Sequence, residues 1–474
     1  MSALPRSLQP TALAAVLASI LASSLFALVG CGSGSSTGTV PANTPTGASF
    51  VTGTDAPMAA VTSFSVVLNG ISVTNASGIS VQLLSGTPTV DFARFNGLNT
   101  LLDMNDVPVG SYSSVTISLG SATIGYLNTS SGTVPTVATE PASFTSSTVT
   151  VPLTTPLVIT ANAAPVGLHL DFKLGKSIQV DSNGQITGVV NPTFVVTAVT
   201  NTDPTAYIDE FTAAVVSVNA NAQSFVIQGP HGRQLTINVN GQTQWDGSAS
   251  LSQLTTSSIV QVSGQLDRAD ATLDADTVAI VSQQGFYASG QITTVTPASG
   301  AASSFDLYVR GLLPTTTGLT LGQIAQVNLT GSEKYSVYWM HSPLLQYLFN
   351  QSQLFAGQDV AIGGPASGAS SASAVTVHRV VLRKWGFVGT VVPGSENDSG
   401  HSFQIQVSGF AGVLIPQPVQ VFVTGDTEFR DGWSGMSDLS DNAKVRVVGL
   451  LLKDPTSGQP VLVGHYVDDM ADKN

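Results

Sequence analysis

The stretch Ser114-Val115-Thr116-Ile117-Ser118-Leu119 alternates strictly between polar and apolar residues, and the same alternation returns in Leu168-His169-Leu170-Asp171-Phe172-Lys173-Leu174. Successive side chains of a β-strand point to opposite faces. An apolar residue at every second position therefore predicts a strand with one face on a core and the other in water. On this interpretation His169, Asp171 and Lys173 share a solvated polar face.

Further strands and turns surround these two stretches. Phe64, Val66 and Leu68 form another apolar stripe. Turn-forming residues separate the runs, and they lie at Asn69-Gly70, Pro108-Val109-Gly110 and Asp181-Ser182-Asn183-Gly184. Several short strands at this spacing predict a β-sandwich over residues 49–200.

Composition favours an all-β fold and restricts the partners. Only 9% of the 474 residues are charged, against about 25% in a typical soluble domain. The polar surface must then come from Ser, Thr, Asn, Gln and the 46 Gly, which favour strands and tight turns. The net charge of −13 repels phosphate groups, so we expect no nucleic-acid partner and no polybasic contact with a membrane surface.

The N-terminus predicts export. Arg6 precedes an apolar run from about Thr11 to Leu28, and Leu28-Val29-Gly30-Cys31 follows. A charged start, an apolar core and small residues at the cut are typical of a secretion signal over residues 1–30. An uncleaved membrane helix is the alternative, since the run is nearly long enough to span a bilayer at about 20 residues.

Leu28-Val29-Gly30-Cys31 resembles the lipobox of bacterial lipoproteins. The resemblance implies lipid attachment to the sulfur of Cys31, the only cysteine, and therefore a lipid bilayer as partner. Gly32 stands where an inner-membrane lipoprotein commonly has Asp, which favours the outer membrane or the cell surface. Residues 31–48 are rich in Gly, Ser, Thr and Pro and predict a flexible tether.

Residues 49–200 resemble the domain of unknown function 4382 of bacterial lipoproteins. The matching motifs, in chain order, are Thr54-Asp55-Ala56-Pro57, residues 64–73, residues 98–102, residues 107–112, and Leu170-Asp171-Phe172 followed by Pro192. The resemblance implies an immunoglobulin- or transthyretin-like sandwich with no established activity. We expect Asp55 to cap a turn before Pro57.

After a linker at residues 200–205, three segments share one order of landmarks, as divergent repeats do. Each opens with a β run and continues with a strand that begins with phenylalanine. An aromatic residue then ends the third strand, at Trp245, Tyr335 and Phe429. After a short Leu-containing helix or turn, a Val-rich strand ends at Gly264, Gly363 and Gly449.

Five strands with a short helix before the fourth predict a small barrel of the OB type. The pattern is similar to the domain of unknown function 5666. We expect three OB-like barrels, over residues 201–283, 284–384 and 385–474.

No motif predicts catalysis. The six histidines are scattered without metal-ligand spacing, no G-x-S-x-G elbow is present, and the only cysteine is assigned to lipid. We therefore predict no catalytic residues, no enzymatic activity and no cofactor. Calcium is a weak alternative, because a loop carries several oxygens at Asp267, Asp270, Asp274 and Asp276. A solvated acidic hairpin explains these residues better, since the loop has neither a turn glycine nor a closing glutamate.

An aromatic segment is the strongest candidate for ligand binding. Tyr335, Tyr338, Trp339 and Tyr347, with Phe349 and Phe355, crowd the second repeat. Exposed rings would form a stacking platform for sugars or for an apolar patch on a partner. A helix that begins near Ser342-Pro343 and caps the barrel is the favoured structural alternative.

Three functions follow from these observations. The favoured one is a non-enzymatic structural, adhesion or binding module of the cell envelope, whose partner is a glycan or another envelope protein. An envelope polysaccharide-binding or hydrolytic protein is the alternative, and a hydrolase would need paired carboxylates in a cleft. Nucleic-acid binding by the OB-like barrels is disfavoured by the acidic charge.

Overall fold

Twelve strands build the first part of the fold. The structure is a computed structural model that describes residues 44–56, 61–128, 136–182, 185–228, 234–246, 249–267, 272–314, 317–337 and 349–470. A one-turn helix, α1 (Leu174–Ser177), separates two of the strands. The strands are β1 (Thr46–Ala56), β2 (Val61–Asn75), β3 (Ser80–Gln82), β4 (Thr89–Asp91), β5 (Thr100–Pro108), β6 (Gly110–Asn128), β7 (Thr136–Phe144), β8 (Thr148–Ile159), β9 (Val166–Lys173), β10 (Ile178–Val180), β11 (Ile186–Val190) and β12 (Phe194–Thr200).

These strands form two sheets that share one core, which we call the sandwich. The first sheet has the order β12-β9-β1-β5, and the second has the order β10-β11-β7-β6-β2-β3, with β4 on β2 and β8 on β6. The predicted stripes of β2 and β6 face this core, where Phe64, Val66, Val115 and Ile117 are fully buried. The alternation therefore predicted these strands correctly.

The turn predicted at Asn69-Gly70 is wrong. Both residues lie within β2, which pairs with β6 on either side of them. The register shifts between Leu68 and Gly70, so the pair forms a β-bulge instead of a hairpin. The paired strand β6 is long enough to hold β2 together across the irregularity, and a tertiary pairing overrides the local turn preference.

Two six-stranded sheets follow the same plan, and we call them the first and third barrels. The strands of the first barrel are β13 (Ile208–Asn219), β14 (Ser224–Gln228), β15 (Gln234–Asn238), β16 (Gln244–Trp245), β17 (Ile259–Asp267) and β18 (Thr272–Ser282). The strands of the third barrel are β26 (Trp385–Val391), β27 (Ser402–Val407), β28 (Val419–Phe422), β29 (Glu428–Arg430), β30 (Lys444–Lys453) and β31 (Pro460–Asp469). The parallel pairings β15–β18 and β28–β31 close the sheets. A 3-10 helix, Leu251–Gln253 or Met436–Asp438, precedes the fourth long strand. This is the OB-type layout that the repeats predicted.

The middle barrel interrupts its last strand. Its strands are β19 (Phe286–Thr296), β20 (Ser304–Leu313), β21 (Ile324–Asn328), β22 (Lys334–Val337), β23 (Asp359–Gly364), β24 (Val375–Thr376) and β25 (Arg379–Leu382). The parallel partner of β21 is β24, whereas β25 pairs with β23. A second short helix, α2 (Gly409–Leu414), belongs to the third barrel.

The aromatic residues Trp245, Tyr335 and Phe429 do not end the third long strand, which corrects the predicted repeat. Each lies in a separate short strand, β16, β22 or β29, that pairs in parallel with the last strand of its barrel. In the first barrel, residues 239–243 interrupt the chain after β15, and β16 then pairs with β18 farther along that strand, at Thr277 and Val278.

In two of the three repeats the shared glycine sits at a β-bulge. In the first and third barrels the register shifts at Gly264 and Gly449. A Cβ at Gly264 would lie 2.0 Å from the carbonyl oxygen of Asp274, and one at Gly449 would lie 2.1 Å from that of Val463. The two backbones approach too closely for any side chain, which explains why the repeats place glycine there.

We expect Gly449→Ala to lower the free energy of unfolding by about 1–3 kcal/mol, because the added methyl group must displace the backbone of β31. Gly425→Ala is the matched control, since a Cβ there would meet no atom within 4 Å. Urea unfolding of both variants measures the difference. Equal stabilities would show that the close approach is not needed.

The described residues fall within a single compact unit, in which apolar clusters join the modules. Phe50, Leu101 and Met104 of the sandwich pack into the core of the first barrel. Leu450, Leu452, Val461 and Val463 of the third barrel pack into the core of the middle barrel. Within the described part of the chain, no helix combines the length and the apolar character needed to cross a membrane.

Candidate functional site

Two consecutive buried carboxylates, Asp209 and Glu210, lie near the start of β13, where the other modules meet the first barrel. Asp209 accepts a hydrogen bond from the backbone N–H of Asn99 in the sandwich at 2.8 Å. Its other oxygen accepts the hydroxyl hydrogen of Tyr466 in the third barrel, also at 2.8 Å. One carboxylate therefore binds two other modules at once, and we call this region the Asp209–Glu210 junction.

Glu210 forms the second half of the junction with Arg383, which lies between β25 and β26. Arg383 donates from Nη2 to Oε1 of Glu210 at 2.6 Å and from Nε to Oε2 at 3.0 Å. Its Nη1 lies 3.0 Å from Oδ1 of Asp359 in the middle barrel. Gln261 also donates to Glu210, at 2.9 Å. The guanidinium is thus enclosed between two buried carboxylates.

The electrostatics follow from burial. Burial raises the pKa of Asp359 to about 6, although the charge of Arg383 opposes the shift. Burial alone would lower the pKa of Arg383, but the charge of Glu210 holds it above its ordinary value. Arg383 therefore stays charged, whereas Asp359 lies close to its protonation midpoint in mildly acidic solution.

Other buried polar groups join the sandwich to the middle and third barrels. Arg310 of the middle barrel donates to the carbonyl oxygen of Thr62, and Tyr308 contacts the Thr62 hydroxyl at 3.1 Å. Arg446 of the third barrel pairs with Asp468 at 2.7 Å and donates to the carbonyl oxygen of Asp55 at 2.9 Å. Among the described residues, five basic side chains are buried, namely Lys173, Arg310, Arg383, Lys384 and Arg446. Such residues are almost never buried without a partner.

Two predictions about polar residues of the sandwich are wrong. Asp55 lies inside β1 and is fully buried, so it does not cap a turn. Burial and the nearby charge of Asp171 raise its pKa, and Arg446 opposes the shift. His169 is buried rather than solvated, with Nδ1 3.1 Å from the hydroxyl of Thr52, and Lys173 on the same predicted polar face is buried as well. Other parts of the chain cover the face of β9 that alternation assigned to water.

A cavity of about 330 Å³ opens next to the junction, between the first and third barrels. Tyr466 forms part of its wall. The ring of His465 stacks on Tyr466 with 3.9 Å between centroids, and the guanidinium carbon of Arg430 lies 3.1 Å from the Tyr466 ring centroid. The remaining wall residues are Pro204, Tyr207, Ser263, Gln265, Asp276, Thr277, Lys384 and Glu428.

Lys384 is the buried cation of this cavity. Lys384 lies 3.1 Å from Nδ1 of His465 and 3.7 Å from Asp209. Burial lowers the pKa of Lys384, while the charge of Asp209 opposes that shift. Burial also raises the pKa of Tyr466, and the negative charge of Asp209 adds to the effect. The phenol stays neutral and remains the hydrogen-bond donor to Asp209.

Of the aromatic candidates, the structure describes Tyr335, Phe349 and Phe355. Tyr335 lies in β22, half-buried, and its ring meets Phe349 edge-on at 5.9 Å between centroids. Both pack against the core of the middle barrel, whereas Phe355 packs against that of the third. The other candidates, Tyr338, Trp339 and Tyr347, lie outside the described residues, as does Cys31. A recognition role for this segment stays a prediction.

The acidic hairpin is partly described. Asp267 ends β17, Asp274 and Asp276 lie in β18, and Asp270 lies outside the described residues. Asp274 accepts a hydrogen bond from Asn238 at 2.9 Å. Across the described ranges, no three His, Cys, Asp or Glu side chains group closely enough to hold a metal ion.

Sequence reasoning missed the junction and the cavity. Asp209, Glu210 and Arg383 occur in no motif, and their partners lie far apart in the chain, with Glu210 and Arg383 separated by 173 positions. The one available signal was the low charge content. In a chain with so few charged residues, an Asp-Glu pair at a strand start or an Arg-Lys pair between strands is unusual.

The family comparisons agree with the motifs. Residues 50–188 match a family model described as Domain of unknown function (DUF4382), and residues 212–279 match one described as Domain of unknown function (DUF5666). Both resemblances are confirmed, in the predicted order. The first match lies within the sandwich, and the second spans the first barrel from β13 to β18. No curated protein matches the chain.

Proposed function

We propose that this chain is an exported lipoprotein that is anchored to the bacterial cell envelope through an acylated Cys31. Its folded part acts as a non-enzymatic scaffold and binding module at the outer membrane or cell surface. The observation that best supports a scaffold is the Asp209–Glu210 junction, in which buried charges join all four modules.

Domains in one chain usually meet through small, polar interfaces and move relative to one another. A buried charge that loses its partner costs about 3–5 kcal/mol, so a hinge that opened the junction would be strongly disfavoured. The apolar clusters shared between modules resist the same motion. The four modules therefore hold a fixed geometry, which is what a surface scaffold needs to present a binding site at a set orientation.

The partners in this proposal are the bilayer and a glycan or another envelope protein. The acidic net charge of −13 favours neutral or cationic partners over nucleic acid. Stable anchoring needs more than one acyl chain, because a single chain gives only marginal and reversible binding. Transfer of a diacylglyceryl group to the sulfur of Cys31 supplies two chains, and acylation of its amine supplies a third.

The anchor is tested by Cys31→Ser in the native host. We expect the unaltered protein to incorporate labelled palmitate and to partition into detergent on phase separation, because the acyl chains bury many methylene groups. The variant should incorporate no label and lose its membrane association. Ser33→Ala, two residues along the tether, is the control and should behave like the unaltered protein. Equal membrane association of Cys31→Ser and Ser33→Ala would contradict the proposed anchor.

A further inference from the structure

We propose that the cavity between the first and third barrels binds a neutral sugar unit. This inference rests on the proposed function and names the ligand class of the binding module. It concerns a place in the fold that neither the motifs nor the predicted aromatic segment identified.

The cations of the cavity wall are already compensated by carboxylates. Nη2 of Arg430 lies 3.2 Å from Oε2 of Glu428, and Lys384 lies 3.7 Å from Asp209. Each cation of the cavity thus already faces a carboxylate, and Asp276 adds a further acidic group to the wall. An anionic ligand would have to displace Glu428 and approach Asp276 against repulsion. A ligand without net charge avoids both costs.

The cavity wall carries both hydrogen-bond donors and hydrogen-bond acceptors. No described residue offers the buried Nε2 of Gln265 a hydrogen-bond partner. A buried amide donor in that state costs about 1–3 kcal/mol, and a ligand acceptor would recover this cost once the amide turned toward the cavity. Glu428 and Asp276 are exposed at the rim and offer carboxylate acceptors. A sugar carries hydroxyl groups that donate and accept at adjacent positions, so it can use both kinds of group together.

The rings in the cavity wall and the volume of the cavity also suit a sugar. Tyr207 is half-buried beside Pro204, so an aromatic ring and an apolar ring border the polar groups. Aromatic side chains combine an apolar face with a polar tip, which suits a sugar ring with its C–H face and its hydroxyl edge. A volume of about 330 Å³ is at the small end of the usual range of about 300–1,000 Å³ for ligand sites. One or two sugar rings fit that size.

The experiment titrates the whole folded chain by calorimetry with glucose, galactose, mannose, N-acetylglucosamine, maltose and cellobiose. Glucuronate and inorganic phosphate are the anionic comparators. We expect at least one neutral sugar to bind, and Gln265→Leu to raise its Kd by about tenfold or more, since the ligand acceptor is left unpaired. Gln234→Leu makes the same change on an exposed side chain of the first barrel, outside the cavity wall. It should leave the Kd unchanged.

Glu428→Gln gives a second, opposite readout that does not depend on a buried position. It removes the carboxylate that faces Arg430, so it should weaken the sugar and strengthen phosphate binding. The proposal is overturned if no neutral sugar binds, if phosphate or glucuronate binds the unaltered protein more tightly, or if Gln265→Leu and Gln234→Leu bind the sugar equally. None of these results touches the anchor, which the palmitate label reports separately.

Discussion

Arg383→Met should lower the free energy of unfolding by about 3–5 kcal/mol, the usual cost of removing one partner from a buried ion pair. The substitution preserves most of the side-chain volume, so it isolates the loss of charge and hydrogen bonds. It leaves Glu210 and Asp359 buried without their shared cation, although Gln261 still donates to Glu210 and Arg94 lies 3.7 Å from it. Chemical unfolding followed by tryptophan fluorescence measures the change.

Two further variants make this result specific. Lys444→Met removes a cation from an exposed position of β30 and should change stability by less than about 1 kcal/mol. Adding Glu210→Gln and Asp359→Asn to Arg383→Met removes the stranded carboxylates as well. The triple variant should regain part of the lost stability, because a buried ion cluster replaced as a whole is often close to neutral. If Arg383→Met unfolds at the same denaturant concentration as Lys444→Met, the junction does not hold the modules together.

Local patterns predicted the strands, because a strand's alternation depends on neighbours in the sequence. The stripe at Val115 and Ile117 and the repeat glycines at Gly264 and Gly449 were readable for this reason. The first and third barrels both need a glycine where two of their strands approach closely, each in its own segment. The pattern of one repeat therefore locates the others, and their shared order of strands predicts the OB-like layout.

The contacts between modules could not be predicted from the sequence, because they join groups that are distant in the chain. Arg446 and the carbonyl of Asp55 that it contacts are 391 residues apart. Alternation assigns His169 to the polar face of its strand but does not say whether water or another module covers that face. The cavity inherits this difficulty, since its walls come from the linker, the first barrel and the third barrel.

The contribution of Asp359 to stability should increase when the solution is acidified from about pH 6 to about pH 4, opposite in sign to the contributions that drive ordinary acid denaturation. The folded pKa of Asp359 is raised to about 6, above an ordinary value of about 3.9. Between these values the folded protein binds more protons at this site than the unfolded chain. The contribution is therefore fully present below about pH 4 and is lost as the pH rises through 6. Between these two pKa values the free energy of unfolding changes by about 1.4 kcal/mol per pH unit through this site, which amounts to on the order of 3 kcal/mol in all.

Several groups around Asp359 set this shift. The charges of Arg383, Arg310 and Arg94 oppose the effect of burial, while Glu210 adds to it. The pKa values of Asp55, Asp91 and Asp246 are also raised by burial, so their contributions have the same sign. Backbone hydrogen bonds lower the pKa values of Asp438 and Asp454, so the contributions of these two groups have the opposite sign. Although burial opposes the shift, hydrogen bonds from Thr330 also lower the pKa of Glu333. The share of Asp359 is isolated by comparing unfolding curves of Asp359→Asn and the unaltered protein across this pH range. Asp426→Asn, at an exposed position, is the control.

The difference in stability between Asp359→Asn and the unaltered protein should depend on pH, whereas that of Asp426→Asn should not. The two junction predictions are also coupled. Removing the Arg383 cation takes away the charge that most opposes the raised pKa of Asp359, so that pKa should rise further in Arg383→Met. Protonation of Asp359 then removes its uncompensated charge, so Arg383→Met should be less destabilising at about pH 5 than at about pH 8. A pH-independent loss in Arg383→Met would mean that Asp359 is not the carboxylate left uncompensated.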